Sequence, residues 1–382
     1  MLKILIAPDS FKESLPAFNV AKCLSKGIAN ELKDAEIGIL PVSDGGEGFL
    51  DVMVSGSGGM KFLFPVHDAL MRKIEAGIGF DANGKTAFIE MASASGLELI
   101  KADERNPLIS TTFGTGELIK HAIDKRCTKI LMGIGGSATN DGGAGMATAL
   151  GARFLDKNGK ELPQGGGFLH LLHSIDLSAF PDKVPEILVA CDVSNPLTGK
   201  NGASEVYGPQ KGATPEMVKL LDKNLKHFAE ILRNQLNIDI EHFEGSGAAG
   251  GLGGGLKAFL NAKLVNGFSL VDETLNIDQK IADSDIVITA EGRMDAQTLN
   301  GKVPFGIAKI AAKYGKPVIG VTGTLGPGFE KLYQNHFDIL LSIMDKPMSL
   351  RDALKNAPEL LESTGKQIAH IIKFWIGNER RI

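Results

Sequence analysis

The stretch KILIAPDS at residues 3–10 places a short apolar run directly before an aspartate and a serine. A second stretch of the same design, DIVITAEGRMD, occupies residues 285–295 near the other end of the chain. Short apolar runs are typical of strands buried on both faces, and the spacing of Val20, Leu24 and Ile28 after the first run indicates a helix. Both ends of the chain therefore predict an α/β fold with a doubly wound, mostly parallel sheet.

The middle of the chain has a different pattern. KIEAGIGF and KTAFIEMA flank the turn sequence DANG, which predicts a β-hairpin with an Asn-Gly turn. Because 382 residues exceed what one hydrophobic core usually covers, we expect two domains. The predicted division is a Rossmann- or flavodoxin-like domain formed by residues 1–65 and 285–382, with a second α/β domain inserted at 66–284.

Composition argues against several classes of partner. The formal net charge is -4, so the chain lacks the basic field that attracts nucleic acids and anionic membranes, and neither is expected. The apolar runs are shorter than a membrane helix requires, and the first one breaks at Pro8, too early for a signal peptide. We therefore expect a cytoplasmic protein.

The 3 cysteines are widely spaced, which argues against a disulfide framework or a structural zinc site.

Charged and polar side chains follow several of the predicted strands. Ligands of open parallel sheets lie outside the carboxyl ends of the strands, so these positions are candidates for a site. Carboxylates gathered there could hold Mg²⁺ or accept a hydroxyl proton, while Lys and Arg neutralise phosphate or carboxylate charge. Each residue alone could equally cap a helix or shape a turn, but the recurrence favours a functional role. The candidates are Asp9, Ser10 and Lys12, then Asp44 and Glu47, then Asp192 and Asn195, and finally Glu291, Arg293 and Asp295.

Two glycine-rich runs provide a second signal. GIGGSATNDGGAG at 133–145 follows the apolar run KILM and precedes the helix-like MATAL, so its backbone amides and a helix N-terminus could cradle an anion. GSGAAGGLGGG at 245–255 precedes LKAFL. Glycine equally serves close packing and tight turns, so a structural role stays open for both runs.

Three short patterns must be tested by their context. GFDANGKT at 79–86 fits the P-loop string, but a P-loop leads from a buried strand into a helix, whereas AFIEMA reads as a strand, so the match is rejected. GSGAAG at 245–250 and GIGGSA at 133–138 fit the dinucleotide fingerprint, and Asp156 follows the second at about the required 20 residues. An NAD-dependent dehydrogenase of small hydroxy acids is therefore the alternative interpretation.

Longer and more irregular strings occur in order along nearly the whole chain. They are APDSFKES at 7–14, PVSDGGEG at 41–48, FGTGELI at 113–119, GIGGSATNDGGAG at 133–145, ACDVSNPLTGKNGAS at 190–204, YGPQKGA at 207–213, GAAGGLGGGL at 247–256 and ITAEGRMDAQTLNGKVPFGIA at 288–308. Together these strings resemble the bacterial type 1 glycerate kinases. One position departs from the family pattern, because Glu13 stands where that pattern has glycine.

The resemblance implies an ATP-dependent kinase that needs Mg²⁺ and converts D-glycerate to 2-phosphoglycerate. It also implies two α/β domains with the active site in the cleft between them. The alternative product is 3-phosphoglycerate, which differs only in the hydroxyl group that attacks. The expected partners are D-glycerate and ATP, and assembly into a homo-oligomer is left open.

Catalytic and metal-binding roles follow from this reaction. We assign Asp192 as the general base on the glycerate hydroxyl, because the strand before it would hold it rigidly. Glu291 and Asp295 are assigned to Mg²⁺, directly or through water. The reserve candidates for either role are Asp44, Glu47 and Asp141.

Cationic residues and glycines complete the expected site. Lys12 and Lys211 would neutralise phosphoryl charge, and the planar guanidinium of Arg293 would clamp the glycerate carboxylate. The residues expected to contact substrate are Asp9, Ser10, Asn195 and Arg293. Those expected to contact ATP are Gly135, Gly136, Ser137 and Lys211.

Overall fold

A computed structural model describes residues 1–379 of the chain. The strands are β1 (Lys3–Ile6), β2 (Glu36–Ile39), β3 (Met60–His67), β4 (Lys73–Phe80), β5 (Thr86–Glu90), β6 (Lys129–Gly133), β7 (Arg153–Leu155), β8 (Ser174–Asp176), β9 (Glu186–Ala190), β10 (Lys263–Val265), β11 (Ile286–Met294), β12 (Val318–Leu325) and β13 (Ile339–Ser342). The helices are α1 (Ala17–Glu31), α2 (Phe49–Gly56), α3 (Ala92–Ser95), α4 (Phe113–Asp124), α5 (Ala144–Ala149), α6 (Ala203–Tyr207), α7 (Pro215–Leu236), α8 (Leu252–Leu260), α9 (Gly267–Leu275), α10 (Ile277–Ala282), α11 (Val303–Lys313), α12 (Leu350–Lys355) and α13 (Ala357–Glu379).

The chain forms two compact units, which we call the terminal unit (residues 1–44 and the described residues from 271 onward) and the central unit (residues 45–270). The terminal unit contains a 5-stranded sheet in the order β13-β12-β11-β1-β2, and all its pairings are parallel. Apolar strands such as Ile4–Ile6 and Val318–Val321 lie buried in this sheet, because helices cover it. The prediction of a doubly wound parallel sheet is therefore confirmed.

Helices α1 and α13 of the terminal unit pack closely on each other. A Cβ atom added to Gly27 would lie 2.1 Å from the Glu362 carbonyl oxygen, and one added to Gly365 would lie 2.4 Å from that of Leu24. Only glycine permits this approach of two helix backbones. The single tryptophan, Trp375, packs from α13 against the apolar core of the same unit.

The central unit contains a 6-stranded sheet in the order β10-β9-β6-β5-β4-β3. Strands β5, β6, β9 and β10 are parallel, whereas β3, β4 and β5 form an antiparallel meander. The predicted hairpin is confirmed, since the Asp81 carboxylate accepts the Lys85 and Thr86 amides at 2.8 and 3.1 Å. GFDANGKT thus leads from strand to strand, which confirms the rejection of the P-loop.

The junctions of the two units differ from the predicted residues 65 and 284. Strand β3 pairs with β4 along Met60–His67, and Val54 of α2 packs beside Gly79 of β4, so residues 45–65 belong to the central unit. Helix α10 belongs to the terminal unit because Asp278 pairs with Lys313 and Tyr314 at the end of α11. In the part of the chain that the structure describes, no helix combines the length and apolar character needed to cross a membrane.

Candidate active site

The terminal unit gathers acidic side chains where the strand order of its sheet reverses. The chain fills the sheet in opposite directions from the adjacent strands β1 and β11, and ligands of such sheets bind beside this reversal. Asp9 follows β1, and its backbone N–H donates to the Ala290 carbonyl of β11 at 2.8 Å. Asp44 follows β2, and Glu291 lies near the carboxyl end of β11. Three of the predicted strand-end residues therefore occupy one edge of one sheet.

Asp9 is almost fully buried in this cluster, with 7% of its surface exposed. Burial, together with the charges of Asp44 and Glu291, raises the pKa of Asp9 to about 8, against the opposing effects of the Ser10 amide and Lys12. The Ser10 amide donates to Asp9 Oδ1 at 2.6 Å. The Ser10 hydroxyl is buried and has no hydrogen-bond partner within residues 1–379. The raised pKa favours the protonated form of Asp9, and protonation reduces the repulsion among the carboxylates.

Lys302, which is not among the predicted site residues, pairs with Glu291. Its Nζ donates to Glu291 Oε1 at 2.6 Å. Burial raises the pKa of Glu291, while Lys302 and Lys12 act in the opposite direction. The second oxygen, Oε2, is buried and accepts no hydrogen bond in the described part of the chain. The sequence does contain a signal for the position of Lys302. Proline is common in the first turn of helices, so Pro304 predicts a helix start near Val303, and Lys302 directly precedes it.

Arg293 and Asp295 pair with each other. Arg293 Nε donates to Asp295 Oδ2 at 2.9 Å, while Oδ1 accepts the Gln297 amide at 2.8 Å and caps a short 3-10 turn. Partial burial raises the pKa of Asp295, but the Gln297 amide and Arg293 together hold it below its usual value. Both oxygens of Asp295 are thus engaged locally. Among the side chains that the structure describes, no three of His, Cys, Asp or Glu are arranged to hold a metal ion.

Lys12 and Glu47 are both exposed. Lys12 lies in a tight turn that is closed by backbone hydrogen bonds between Phe11 and Leu15. Glu47 belongs to the central unit and lies just before α2. The cluster of the terminal unit therefore comprises Asp9, Asp44, Glu291, Lys12 and Lys302, which interact through the charges described above.

In the central unit, Asp141 organises the glycine-rich run at 133–145. Its carboxylate accepts the Thr112 amide at 2.8 Å, the Thr112 hydroxyl at 3.0 Å and the Thr111 hydroxyl at 3.2 Å. It also accepts the amides of Gly143 and Gly145 at 3.1 and 3.2 Å. Complete burial raises the pKa of Asp141, against the effect of these donors. The carboxylate thus joins the start of α4 to the start of α5, a structural role that accounts for its burial.

Lys211 supports the same run from inside the protein. Its side chain is 2% exposed, and Nζ donates to the Thr139 carbonyl at 2.6 Å and to the Ser137 hydroxyl at 3.2 Å. Burial lowers the pKa of Lys211 to about 7, and the charge of Asp141 opposes this shift. The lysine therefore holds residues 137–139 in place and is not exposed to solvent.

The glycines predicted to bind ATP lie between β6 and α5. Gly136 has a φ of 71°, a conformation that favours glycine, and its carbonyl accepts the Leu97 amide at 2.8 Å. A Cβ atom on Gly135 would lie 2.9 Å from the Gly46 Cα. In the second run, a Cβ atom on Gly250 would lie 1.9 Å from the Thr139 carbonyl oxygen. Close backbone packing therefore requires several of these glycines, whichever ligand the loop receives.

Asp192 and Asn195 follow β9 in the central unit. Asp192 is exposed, and its Oδ1 accepts the Asn266 side chain at 2.5 Å and the Gly267 amide, at the start of α9, at 2.9 Å. Asn195 donates to the Asn201 carbonyl at 2.8 Å and accepts the Tyr207 hydroxyl at 2.7 Å. Asn195 therefore shapes its own loop, whereas Asp192 is held in one orientation and remains accessible.

The dinucleotide fingerprint lacks its structural context. GIGGSA begins at the end of β6, but α5 begins only at Ala144, so the third small residue, Ala138, does not open a helix as the fingerprint requires. GSGAAG at 245–250 follows no strand directly. Neither run therefore supports the dehydrogenase alternative.

Known proteins match this chain along almost its whole length. The family model described as the glycerate kinase family matches residues 4–373. A protein of Escherichia coli (strain K12) named glycerate 2-kinase is 46% identical, with 99% of this chain and 100% of that protein covered. A protein of Bacillus subtilis (strain 168) named glycerate kinase is also 46% identical, with 97% and 98% covered. A crystal structure from Salmonella typhimurium LT2, described as that of a "putative glycerate kinase 2", superposes with a TM-score of 0.87 at 46% identity, with 98% of this chain and 99% of that chain covered. The chain therefore belongs to the glycerate kinase family, whose members are phosphotransferases that act on glycerate.

Proposed function

We propose that this protein transfers the γ-phosphoryl group of ATP to the C2 hydroxyl of D-glycerate and requires Mg²⁺. The observation that carries the choice of hydroxyl is the match to the Escherichia coli protein named glycerate 2-kinase, which is covered over 100% of its length. Phosphoryl transfer needs charge neutralisation and alignment more than covalent chemistry. Clustered carboxylates, lysines and a glycine-rich loop are the groups that serve these needs, and the two units contain all three.

For Mg²⁺ we propose Glu291, with Asp44 as the second carboxylate of the same cluster. Glu291 Oε2 is buried without a partner in the described residues, so it can accept a cation without losing a hydrogen bond. Mg²⁺ typically uses one or two carboxylates together with substrate phosphates, which suits a cluster that offers Glu291 and Asp44. When bound, Mg²⁺ would neutralise charge on the transferred group. Asp295 has both oxygens engaged, so we assign it to capping and to Arg293.

For the phosphates of ATP we propose the backbone of Gly135, Gly136 and Ser137. Glycine-rich loops bind anions through backbone amides, and the loop is held in one shape by two buried side chains. Lys211 fixes its middle and Asp141 fixes its end. In this proposal both act on the loop and neither touches the nucleotide.

For the acceptor we propose Asp192 as the general base. Its side chain is exposed, so a substrate hydroxyl can reach it, and two donors on Oδ1 fix its orientation. Lys12 is retained as a cation for the phosphoryl group because it interacts with Asp9 and Glu291. Asp9, Ser10 and Arg293 stay predictions for substrate contact, as do a cytoplasmic location and assembly into a homo-oligomer.

The test is to incubate the purified protein with ATP, Mg²⁺ and D-glycerate, follow ADP release and identify the product by phosphorus NMR. Appearance of 2-phosphoglycerate supports the proposal, and Asp192→Asn should then lower kcat by about 100-fold or more, the size typical of a lost general base. If 3-phosphoglycerate forms instead, the kinase activity stands and the choice of hydroxyl is wrong. If no ADP forms, the proposed activity is wrong, and NADH binding would be measured next.

A further inference from the structure

Arg105 has a buried guanidinium nitrogen without a partner. It follows a 3-10 turn at Ala102–Glu104 in the central unit and is partly buried. Its Nε makes no hydrogen bond, and its side chain forms no ion pair, with any side chain or backbone group that the structure describes. Arg233, the other described arginine that is only partly exposed, pairs with Asp239 at 3.1 Å and with Glu241 at 2.9 Å. Arg105 is thus partly buried as Arg233 is, but no described carboxylate pairs with it.

The buried, unpaired Nε of Arg105 lowers the stability of the free protein, and a bound anion would remove this penalty. A guanidinium stays charged at every physiological pH, so it cannot reduce the cost of burial by losing its proton. Buried donors without an acceptor are rare in folded proteins, and each one asks for an explanation. The carboxylate next to it in the chain, Glu104, is already paired with Arg72 at 3.2 Å. The described residues therefore supply no acceptor for Arg105 Nε, and the anionic group of a ligand would provide one.

The segment that carries Arg105 is linked to the glycine-rich run at 133–145 through its neighbours on two sides. On one side, a Cβ atom added to Gly212 would lie 2.5 Å from the Arg105 carbonyl oxygen and 3.0 Å from its Cβ, so the two backbones touch. Gly212 directly follows Lys211, whose Nζ holds that run. On the other side, the hydroxyl of Ser110 donates to the Ala138 carbonyl within the run at 2.8 Å. The segment that carries Arg105 is therefore anchored to the run at both ends.

The geometry points to Arg105 as an anion-binding residue of the central unit, and we propose that it pairs with an anionic group of a substrate. A planar guanidinium pairs bidentately with either a carboxylate or a phosphate, so the group is the carboxylate of glycerate or a phosphate of ATP. This inference rests on the proposed function. It adds a residue that spacing could not reveal, because Arg105 follows no strand and lies in none of the strings that carry the family resemblance.

The experiment compares steady-state kinetics of Arg105→Gln, Arg105→Lys and the matched control Arg126→Gln with those of the wild type. Arg126 is exposed and has no ion pair within the described residues, so its loss should change neither KM by more than about twofold. Arg105→Gln should raise one KM by about 10- to 100-fold, the size expected when a hydrogen bond to a charged group is lost. A rise for D-glycerate identifies the carboxylate, and a rise for ATP identifies the phosphate. The affected KM of Arg105→Lys should lie between those of the wild type and Arg105→Gln, because lysine keeps the positive charge but cannot form the bidentate pair of a guanidinium.

Thermal unfolding separates binding from a structural role. Since Arg105 has no partner in the free protein, Arg105→Gln should leave the Tm of the free protein unchanged or raise it, while the Tm rise produced by the affected substrate becomes smaller. Both KM values within twofold of the wild type would overturn the inference, as would a lower Tm of the free protein with unchanged KM values. If the wild type shows no kinase activity, the proposed function fails separately. The Tm rise produced by inorganic phosphate, by ATP and by D-glycerate then decides the inference, which is sustained if Arg105→Gln abolishes any one of them and overturned if it abolishes none.

Discussion

Replacing Lys211 with methionine should change how the stability of this protein depends on pH. In the folded protein burial lowers the pKa of Lys211 to about 7, from an ordinary value of 10.5. Between these two pH values the unfolded chain binds a proton at this position and the folded chain does not. The free energy of unfolding of the wild type therefore rises with pH across this interval, and Lys211→Met lacks this contribution.

The magnitude follows from the size of the pKa shift. Each pH unit within the interval is worth about 1.4 kcal/mol, so the whole shift is worth at most about 5 kcal/mol and the step from pH 7 to pH 9 about 2 to 3 kcal/mol. Methionine also removes the donor to the Thr139 carbonyl, a loss of about 1 to 3 kcal/mol that does not vary with pH. The free energy of unfolding of Lys211→Met should thus be closest to that of the wild type at pH 7, and it should fall progressively further below the wild-type value toward pH 9.

Urea unfolding followed by circular dichroism at pH 7, 8 and 9 measures this difference, because linear extrapolation gives the free energy of unfolding at each pH. The exposed Lys219 on α7 provides a matched control in Lys219→Met. A wild-type minus variant difference that stays constant within about 0.5 kcal/mol from pH 7 to pH 9 would refute the reasoning, since a lysine that is protonated in both states makes no pH-dependent contribution.

Three further predictions concern backbone conformation and the Glu291 pair. Gly250→Ala should lower the free energy of unfolding by about 3 kcal/mol or more, because its φ is 71° and its Cβ would lie 1.9 Å from a carbonyl oxygen. The control Gly199→Ala, at a φ of 86° with open space around it, should lower the free energy of unfolding by only about 1 to 2 kcal/mol. Equal losses for the two variants in urea titrations would contradict the predicted clash at Gly250. Lys302→Met should lower kcat about 10- to 100-fold by leaving the Glu291 carboxylate without its cation, with partial recovery in Lys302→Arg; an unchanged kcat would show that catalysis does not need the pair. Glu13→Gly should raise the free energy of unfolding by up to about 1 kcal/mol, because Glu13 has a φ of 63°, and a lower urea midpoint would argue against strain at this position.

The strands and the larger helices were predictable because burial leaves a local pattern. KILI, KILM and DIVITA are apolar enough to lie inside a sheet wherever the rest of the chain goes, and the structure places β1, β6 and β11 there. The junction after residue 44 was not predictable in this way, since β3 has mostly exposed residues and its place depends on pairing with β4. Glu13 is a favourable case, because the family pattern marks a glycine at a position that proves to have positive φ.

Spacing located carboxylates at strand ends but could not tell which were already occupied. Asp141, Asp192 and Asp295 each accept backbone amides, and the amide that a carboxylate meets depends on the path of a loop rather than on its neighbours in sequence. The same limit hid Lys302 and Arg105, whose long side chains act at a distance from their own positions. A sequence read locally therefore finds the acidic groups of a site more readily than the cations that position them.

Trp375 makes the terminal unit visible by intrinsic fluorescence. It is the only tryptophan in the chain, and it packs against the core of that unit. Emission excited at the red edge of the indole band therefore reports on the terminal unit alone, whereas circular dichroism records both units. Comparing the two signals during unfolding shows directly whether the units melt together or in sequence, without any label being introduced.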